Sequence, residues 1–177
     1  METEEQLLSA IRSGDTSAFR RLYERYSRYA MAIGLRYIPE RDEANDVLQD
    51  SFVKILTSIQ RFDYQGEGSL RNWIRRIVVN QAIDHIHQRE RVSFVSINLD
   101  EVVDEDFDIE EIPSEIIARM VGQLPTNYRL VLNLYVFERL THSEIAQLLG
   151  IKEKTSSSLF YRAKITLKKM ISDYLKG

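Results

Sequence analysis

Apolar residues recur at every third or fourth position along the first ninety residues, which is the spacing of one buried face on an α-helix. The first such stripe consists of Ala18, Phe19, Leu22, Tyr23 and Tyr26. Asp15 or Thr16 can cap the start of this helix, directly after Gly14. A second helix is expected to end at Pro39, since proline cannot continue a helix.

A third helix is predicted from a longer apolar stripe, formed by Val47, Leu48, Phe52, Ile55, Leu56 and Ile59.

Residues 61–69 contain two glycines among polar and aromatic residues and predict a loop. A fourth helix begins at about Leu70. Its expected inward residues are Trp73, Ile74, Ile77, Val78 and Ile83, and its expected outward residues are Arg71, Arg75 and Arg76. No strand-period alternation and no internal repeat is found, so the pattern indicates an all-α protein.

The last third of the chain carries a helix-turn-helix pattern. Thr141 and Glu144 form a capping box, and Gly150 suits a left-handed turn with Ile151 folding back beneath it. The first helix is expected to bury Ile145, Leu148 and Leu149, with the small Ala146 allowing a close crossing. The second helix presents an outer face of hydroxyls and cations: Lys154, Ser157, Ser158, Tyr161, Arg162 and Lys164. The alternative is a helical hairpin with an ordinary solvated face.

Composition narrows the possible functions. The 177 residues are 44% hydrophobic and 29% charged, which is typical of a soluble globular protein. There is no cysteine and there are only three histidines; no apolar run is long enough to span a bilayer, and the acidic, amphipathic N-terminus is not a signal peptide. We therefore expect a cytoplasmic protein without catalytic residues, without metal or cofactor, and without direct membrane insertion.

The net charge of −3 conceals a strong segregation of charge. Residues 51–92 have a balance of +3 and residues 116–177 a balance of +6, whereas residues 93–115 hold nine acidic and no basic side chains. So many like charges with few apolar residues predict a flexible acidic linker at 93–112. It is either a plain solvated spacer or a mimic of nucleic acid that occupies a basic surface.

Four segments in order resemble the extracytoplasmic-function (ECF) group of the sigma-70 family. GDTSAFRRLYERY resembles the opening helix of that family, and DVLQDSFVKI is similar to its polymerase-docking motif. RFDYQGEGSLRNWIRRIVVNQAID resembles the segment that melts and reads the minus-ten promoter element. LPTNYRLVLNLYVFERLTHSEIAQLLGIKEKTSSSLFYRAK resembles the domain that reads the minus-thirty-five element.

The resemblance implies a role for each set of residues. The implied polymerase-binding residues are Asp46, Gln49, Asp50 and Lys54, with Phe52 packed inward. The implied minus-ten residues are Phe62, Tyr64, Gly66, Ser69, Arg71, Asn72, Arg76 and Asn80. The implied minus-thirty-five residues are Lys154, Thr155, Ser157, Ser158, Tyr161, Arg162 and Lys164. Trp73 is expected in the core and not as a stacking platform, because it falls on the apolar stripe with Ile77.

The chain departs from the family pattern in the second helix of the helix-turn-helix. The family usually has glycine where Lys154 stands, a branched apolar residue at Ser156 and arginine at Leu159. Fewer cations then remain on the reading face, while Leu159, Phe160 and Ile165 can still fill the core.

Two hypotheses follow for function. In the first, residues 1–92 form a region 2-like domain and residues 113–177 a region 4-like helix-turn-helix domain (winged-helix-like) of a sigma factor. Its implied partners are core RNA polymerase, through the clamp helices of the largest subunit and the flap, promoter DNA, and an anti-sigma factor. In the second, the chain is a free-standing regulator that binds an operator without polymerase, and the first domain serves for dimerisation or sensing.

Overall fold

The computed structural model describes residues 2–89 and 112–176, and every regular element within these ranges is a helix. The chain divides into two compact units, residues 1–90 and 91–177. The first unit contains α1 (Glu4–Arg12), α2 (Thr16–Tyr37), α3 (Arg41–Ser58), a 3₁₀ turn (Ile59–Arg61) and α4 (Ser69–Arg89). The second contains α5 (Ser114–Gln123), α6 (Thr126–Val136), α7 (His142–Leu149) and α8 (Glu153–Lys176). The prediction of an all-α protein with two helical domains is confirmed.

The segment between Asp15 and Pro39 forms one long helix, α2, so the prediction of two successive helices within it is wrong. The side chain of Asp15 caps α2 by accepting a hydrogen bond from the Ser17 N–H at 2.9 Å. The helix then continues to Tyr37, because its buried stripe runs on through Ala30 and Ile33 without a break.

Helices α2, α3 and α4 pack together around the buried core of the first unit. Phe52 is buried there as predicted. Leu56 is 40% exposed, so its assignment to the buried stripe is wrong. The helix face that includes Leu56 also carries hydrophilic residues and turns towards solvent. Trp73 is only half-buried, and the expectation of a core tryptophan is therefore wrong as well.

The capping box and the turn of the helix-turn-helix in the second unit form as the sequence predicted. The Thr141 hydroxyl accepts a hydrogen bond from the Glu144 N–H, and the Glu144 carboxylate accepts one from the Thr141 N–H. Gly150 has a φ of 66°, and the Ile151 N–H donates to the carbonyl of Ala146 at 3.0 Å. Residues 112–176 contain no strand, so the likeness to a winged helix does not extend to a wing.

The cores of the second unit are formed where α8 crosses the other helices. One cluster joins Ile112 and Met120 to Ile171, and another joins Leu124 and Leu132 to Ala163. Leu148 is 40% exposed, which corrects its assignment to the buried stripe of α7. Helix α7 is only eight residues long, and Ile145 and Leu149 occupy its contact with the rest of the unit.

Residues 93–111 of the predicted acidic linker lie outside the described residues, and its last residue, Ile112, is buried against Met120 and Ile171. Within residues 2–89 and 112–176, no helix combines the length and apolar character that crossing a bilayer requires.

Candidate nucleic-acid and polymerase interfaces

A cavity of about 430 Å³ opens between the loop 62–68 and the first two turns of α4. Its wall combines aromatic, amide, carboxylate and guanidinium groups, contributed by Arg61, Phe62, Asp63, Gln65, Ser69, Asn72, Trp73 and Arg76. This volume lies within the range of small-ligand pockets, about 300–1,000 Å³. The structure therefore brings four of the eight predicted minus-ten residues, Phe62, Ser69, Asn72 and Arg76, into one concave site.

Aromatic side chains form the apolar part of this cavity. The rings of Phe62 and Trp73 lie 4.9 Å apart, tilted by 36°. Trp73 was not predicted as a cavity residue, because its spacing to Ile77 matches a core stripe, yet it stands beside a loop that already holds an aromatic residue. Arg61 was not predicted as a wall residue, and Asp63 and Gln65 were expected only as part of the loop and pocket segment 62–69; all three line the cavity.

Two glycines allow the loop to turn. Gly66 and Gly68 have φ values of 107° and 91°, which side chains with a Cβ rarely adopt. Ser69 fixes the turn: its hydroxyl donates to the Gly66 carbonyl at 2.6 Å and accepts from the Gln65 N–H at 3.2 Å. Tyr64 lies outside the cavity wall. Its hydroxyl has a raised pKa, mainly because of burial and secondly because of the nearby negative charge of Glu67.

A polar ridge leads away from the cavity along α4. Asn72, Arg76 and Asn80 follow one another at intervals of four residues and are all exposed. Arg71 is also exposed, with its guanidinium carbon 4.3 Å from the centre of the Tyr29 ring. Arg75, expected to point outwards, is half-buried. The ridge therefore offers amide and guanidinium donors, and Arg75 is not part of it.

A different surface lies on α3. Asp46, Gln49 and Asp50 are exposed at spacings of three and four residues, and Lys54 is exposed one turn beyond Asp50. Val53, 60% exposed, and Leu56 extend the same face with apolar area. Exposed apolar side chains bordered by polar groups match the apolar core and polar rim of a protein–protein interface.

On α8 the predicted DNA-contacting residues separate into two groups. Lys154, Ser157 and Lys164 are exposed, and Tyr161 and Arg162 are half-buried. Thr155 and Ser158 are 4% and 6% exposed, so the placement of Ser158 on the outer face is wrong. Both lie on the side of α8 that packs against the unit's other helices, together with Leu159.

Ser156, where the family pattern has an apolar residue, is also fully buried. Its hydroxyl is 2.9 Å from Nδ1 of His142. The His142 ring stacks on that of Tyr135 with centroids 4.7 Å apart, and burial lowers the pKa of this histidine. The polar pair thus links the two helices of the helix-turn-helix.

Each of the two units matches the model of a known protein family. Residues 22–92 match Sigma-70 region 2, and residues 114–167 match Sigma-70, region 4.

Full-length relatives agree with these matches. The RNA polymerase sigma-H factor of Pseudomonas aeruginosa is 28% identical, covering 99% of this chain and 97% of the relative. The ECF RNA polymerase sigma-E factor of Escherichia coli K12 is 27% identical, covering 92% and 91%. Among solved structures, the sigma factor RpoE in complex with the anti-sigma factor NepR from Bartonella quintana has a TM-score of 0.53. It is 17% identical, with 87% of this chain and 96% of that chain covered, and it supports the fold.

Proposed function

The chain belongs to the ECF group of the sigma-70 family, promoter-specific transcription initiation factors that are not enzymes, and we propose which of its surfaces perform initiation. The α3 face binds core polymerase, the cavity receives a base of the minus-ten element, and the exposed side of α8 reads the minus-thirty-five element. The observation that carries the proposal is the cavity with its aromatic wall and adjoining polar ridge.

Promoter opening requires a base to leave the stack and be held outside it. The cavity has room for a flipped base, and Phe62 and Trp73 offer aromatic surface for stacking. Arg76 and Asn80 on the ridge supply donors for the backbone of the same strand. We assign Tyr64, Gly66 and Arg71 to the loop and its borders, where they shape the entrance.

The exposed residues of α8 bind the minus-thirty-five element. Lys154 and Lys164 supply cations for phosphates, and Ser157, Tyr161 and Arg162 supply groups that can reach base edges. Thr155 and Ser158 hold the helix in place from its buried side and are not proposed as base contacts. Each unit binds DNA weakly alone, and polymerase makes the two binding events intramolecular.

Polymerase binding joins the acceptor groups of Asp46, Gln49 and Asp50 to a basic surface on the clamp helices, with Val53 and Leu56 packing beside them. In the second unit, Tyr135, Val136 and Phe137 are 39%, 49% and 41% exposed at the end of α6, and we assign the flap contact to them. Val136→Lys should weaken binding of the second unit to an isolated flap domain, and unchanged binding would refute that assignment.

Transcription with purified core polymerase, this chain and upstream fragments of its genome tests the proposal. We expect discrete start sites that disappear with Asp46→Lys/Asp50→Lys, because two reversed charges weaken binding to core polymerase by about a hundredfold or more. Glu24→Lys/Asp173→Lys makes the same charge change at exposed positions away from α3 and should retain the start sites. Tight binding to duplex DNA without any binding to polymerase would instead identify a free-standing regulator.

An anti-sigma factor is inferred as a regulatory partner from membership of the ECF group. The structural relative from Bartonella quintana is described in such a complex. Since polymerase and promoter DNA are cytoplasmic, the proposal also places the chain there. A pull-down under non-inducing conditions should recover an inhibitor with the chain, whereas recovery of polymerase alone would contradict this regulation.

A further inference from the structure

The carboxylate of Glu4 is buried at the end of the loop 62–68, although it lies more than sixty residues away in sequence. Glu4 is 2% exposed. Its Oε2 accepts hydrogen bonds from the N–H groups of Gly68 at 2.9 Å and Leu70 at 3.0 Å. Its Oε1 accepts from the Arg71 N–H at 3.2 Å and from the Tyr26 hydroxyl at 2.8 Å.

These four bonds explain why a carboxylate is tolerated inside the first unit. A buried charge is costly unless its hydrogen-bonding sites are filled, and a carboxylate offers about four of them. Three of the donors are backbone N–H groups at the junction of the loop with α4, where a helix leaves such groups unpaired. The negative charge also faces the positive end of the α4 dipole. A loop conformation that moved these N–H groups away would leave the buried Glu4 carboxylate with fewer hydrogen-bond partners.

Helix α1 also holds the loop at its opposite end. The guanidinium of Arg12 donates to the carbonyl of Phe62, the first residue of the loop. Between these two points, the Glu4 N–H donates to Oε2 of Glu67 at 3.1 Å, and Oε1 of Glu67 pairs with Arg25 at 3.2 Å. The loop is therefore attached to α1 where it begins and where it ends.

We infer that α1 is a brace that presets the loop for base capture, with Glu4 as its principal positioning residue. This inference rests on the proposed function of the cavity. A loop that already has its binding shape does not have to be ordered when the base enters, so less binding free energy is lost. Neither Glu4 nor Arg12 lines the cavity, and both act through the backbone of the loop.

The test uses holoenzyme assembled from core polymerase and the full chain, and an oligonucleotide with the single-stranded minus-ten element of a promoter found by transcription. Glu4→Gln replaces one acceptor oxygen with an NH₂ group that faces N–H donors. We expect it to weaken oligonucleotide binding by about tenfold while affinity for core polymerase stays within about twofold. Glu5→Gln, on the exposed side of α1, should bind as the unaltered chain does.

Tyr26→Phe distinguishes a role of Glu4 in positioning the loop from a role in the stability of the fold alone. It removes one hydrogen bond from the same carboxylate and leaves all three bonds to the loop backbone in place. We expect a lower melting temperature with unchanged oligonucleotide affinity. Equal losses of oligonucleotide affinity in Tyr26→Phe and Glu4→Gln would reduce Glu4 to a structural residue and overturn the inference.

Arg12→Gln tests the other end of the brace and, because Arg12 is exposed, leaves the core intact. We expect oligonucleotide binding to weaken by about threefold. If Glu4→Gln does not fold, unaltered binding by Arg12→Gln overturns the inference. Failure of the unaltered chain to bind core polymerase or the oligonucleotide would refute the proposed function itself, and is thereby distinct from a failure of the brace alone.

Discussion

The two proposed DNA-binding surfaces differ in shape and in the range of the contacts that build them. The cavity of the first unit is concave, and its loop is held by hydrogen bonds from Glu4 to residues 64, 66 and 67 positions away. The exposed side of α8 is convex, and its helix is positioned by the capping box of α7, whose two residues are three positions apart, and by the turn at Gly150.

This difference matches the two forms of promoter DNA. An extruded base must be enclosed, so its site needs walls from separate segments of the chain. A duplex groove must be entered, so its site needs a projecting helix with long polar side chains. The cavity that encloses a base is therefore built by tertiary contacts, whereas the helix that projects into a groove is positioned by one local turn.

The largest effect is expected from Phe62→Ala, which removes an aromatic wall of the cavity. Stacking of a base on an aromatic side chain contributes about 1–3 kcal/mol, so capture of the minus-ten strand should weaken about five- to 150-fold. Fluorescence of 2-aminopurine in the minus-ten element of the holoenzyme complex measures this capture. Phe19→Ala truncates another half-buried phenylalanine, on α2, and should leave the signal unchanged. If Phe62→Ala gave the same fluorescence signal as Phe19→Ala, the cavity would have no role in promoter opening.

Gly150→Ala should disturb the convex site through the backbone alone. An added Cβ would meet no atom within 4 Å, so the cost is that of the left-handed conformation at φ 66°, about 1–2 kcal/mol. We expect thermal unfolding of the second unit at lower temperature, while the first unit is unaffected. An unchanged melting temperature would show that the turn does not depend on this glycine.

Lys154→Gln should change the salt dependence of promoter binding. Each phosphate neutralised contributes about 0.9 to the slope of log affinity against log salt, so the slope should become shallower by about that amount. Lys169→Gln is the matched control, because Lys169 is exposed on α8 about 22 Å further along the helix axis. Phe62→Ala should not alter the slope, and a comparable change there would blur the distinction between the two surfaces.

The smallest effect is expected from mild acid. Burial lowers the pKa of His142 in the folded state, with the nearby Glu153 opposing that shift. The unfolded chain therefore takes up a proton near pH 6.5, before the folded chain does, and stability is lost as pH falls from 6.5 towards the folded pKa. The melting temperature of the second unit should therefore fall over this interval. His142→Gln should abolish the pH dependence, and its persistence would assign the effect to another group.

Local patterns were sufficient for the helix-turn-helix. Thr141, Glu144 and Gly150 act on neighbours within a few residues, so their types and spacing predict their hydrogen bonds and backbone conformation. The same reasoning failed for Leu56 and Leu148, which continue an apolar stripe but are exposed. A stripe shows which face of a helix is apolar, whereas the packing partners decide how far along it burial extends.

Residue type and order along the chain determined that this protein is all-α, with two helical units and a helix-turn-helix in the second. The resemblance to the sigma-70 family placed Phe62, Ser69, Asn72 and Arg76 among the candidate DNA contacts. Only the tertiary structure joined Phe62 to Trp73 across the cavity, turned Ser158 inwards, and brought Glu4 to the N-terminus of α4. The physical reason is the range of the interactions: capping and turn formation depend on adjacent residues, whereas a cavity and a buried carboxylate depend on segments that meet only after folding.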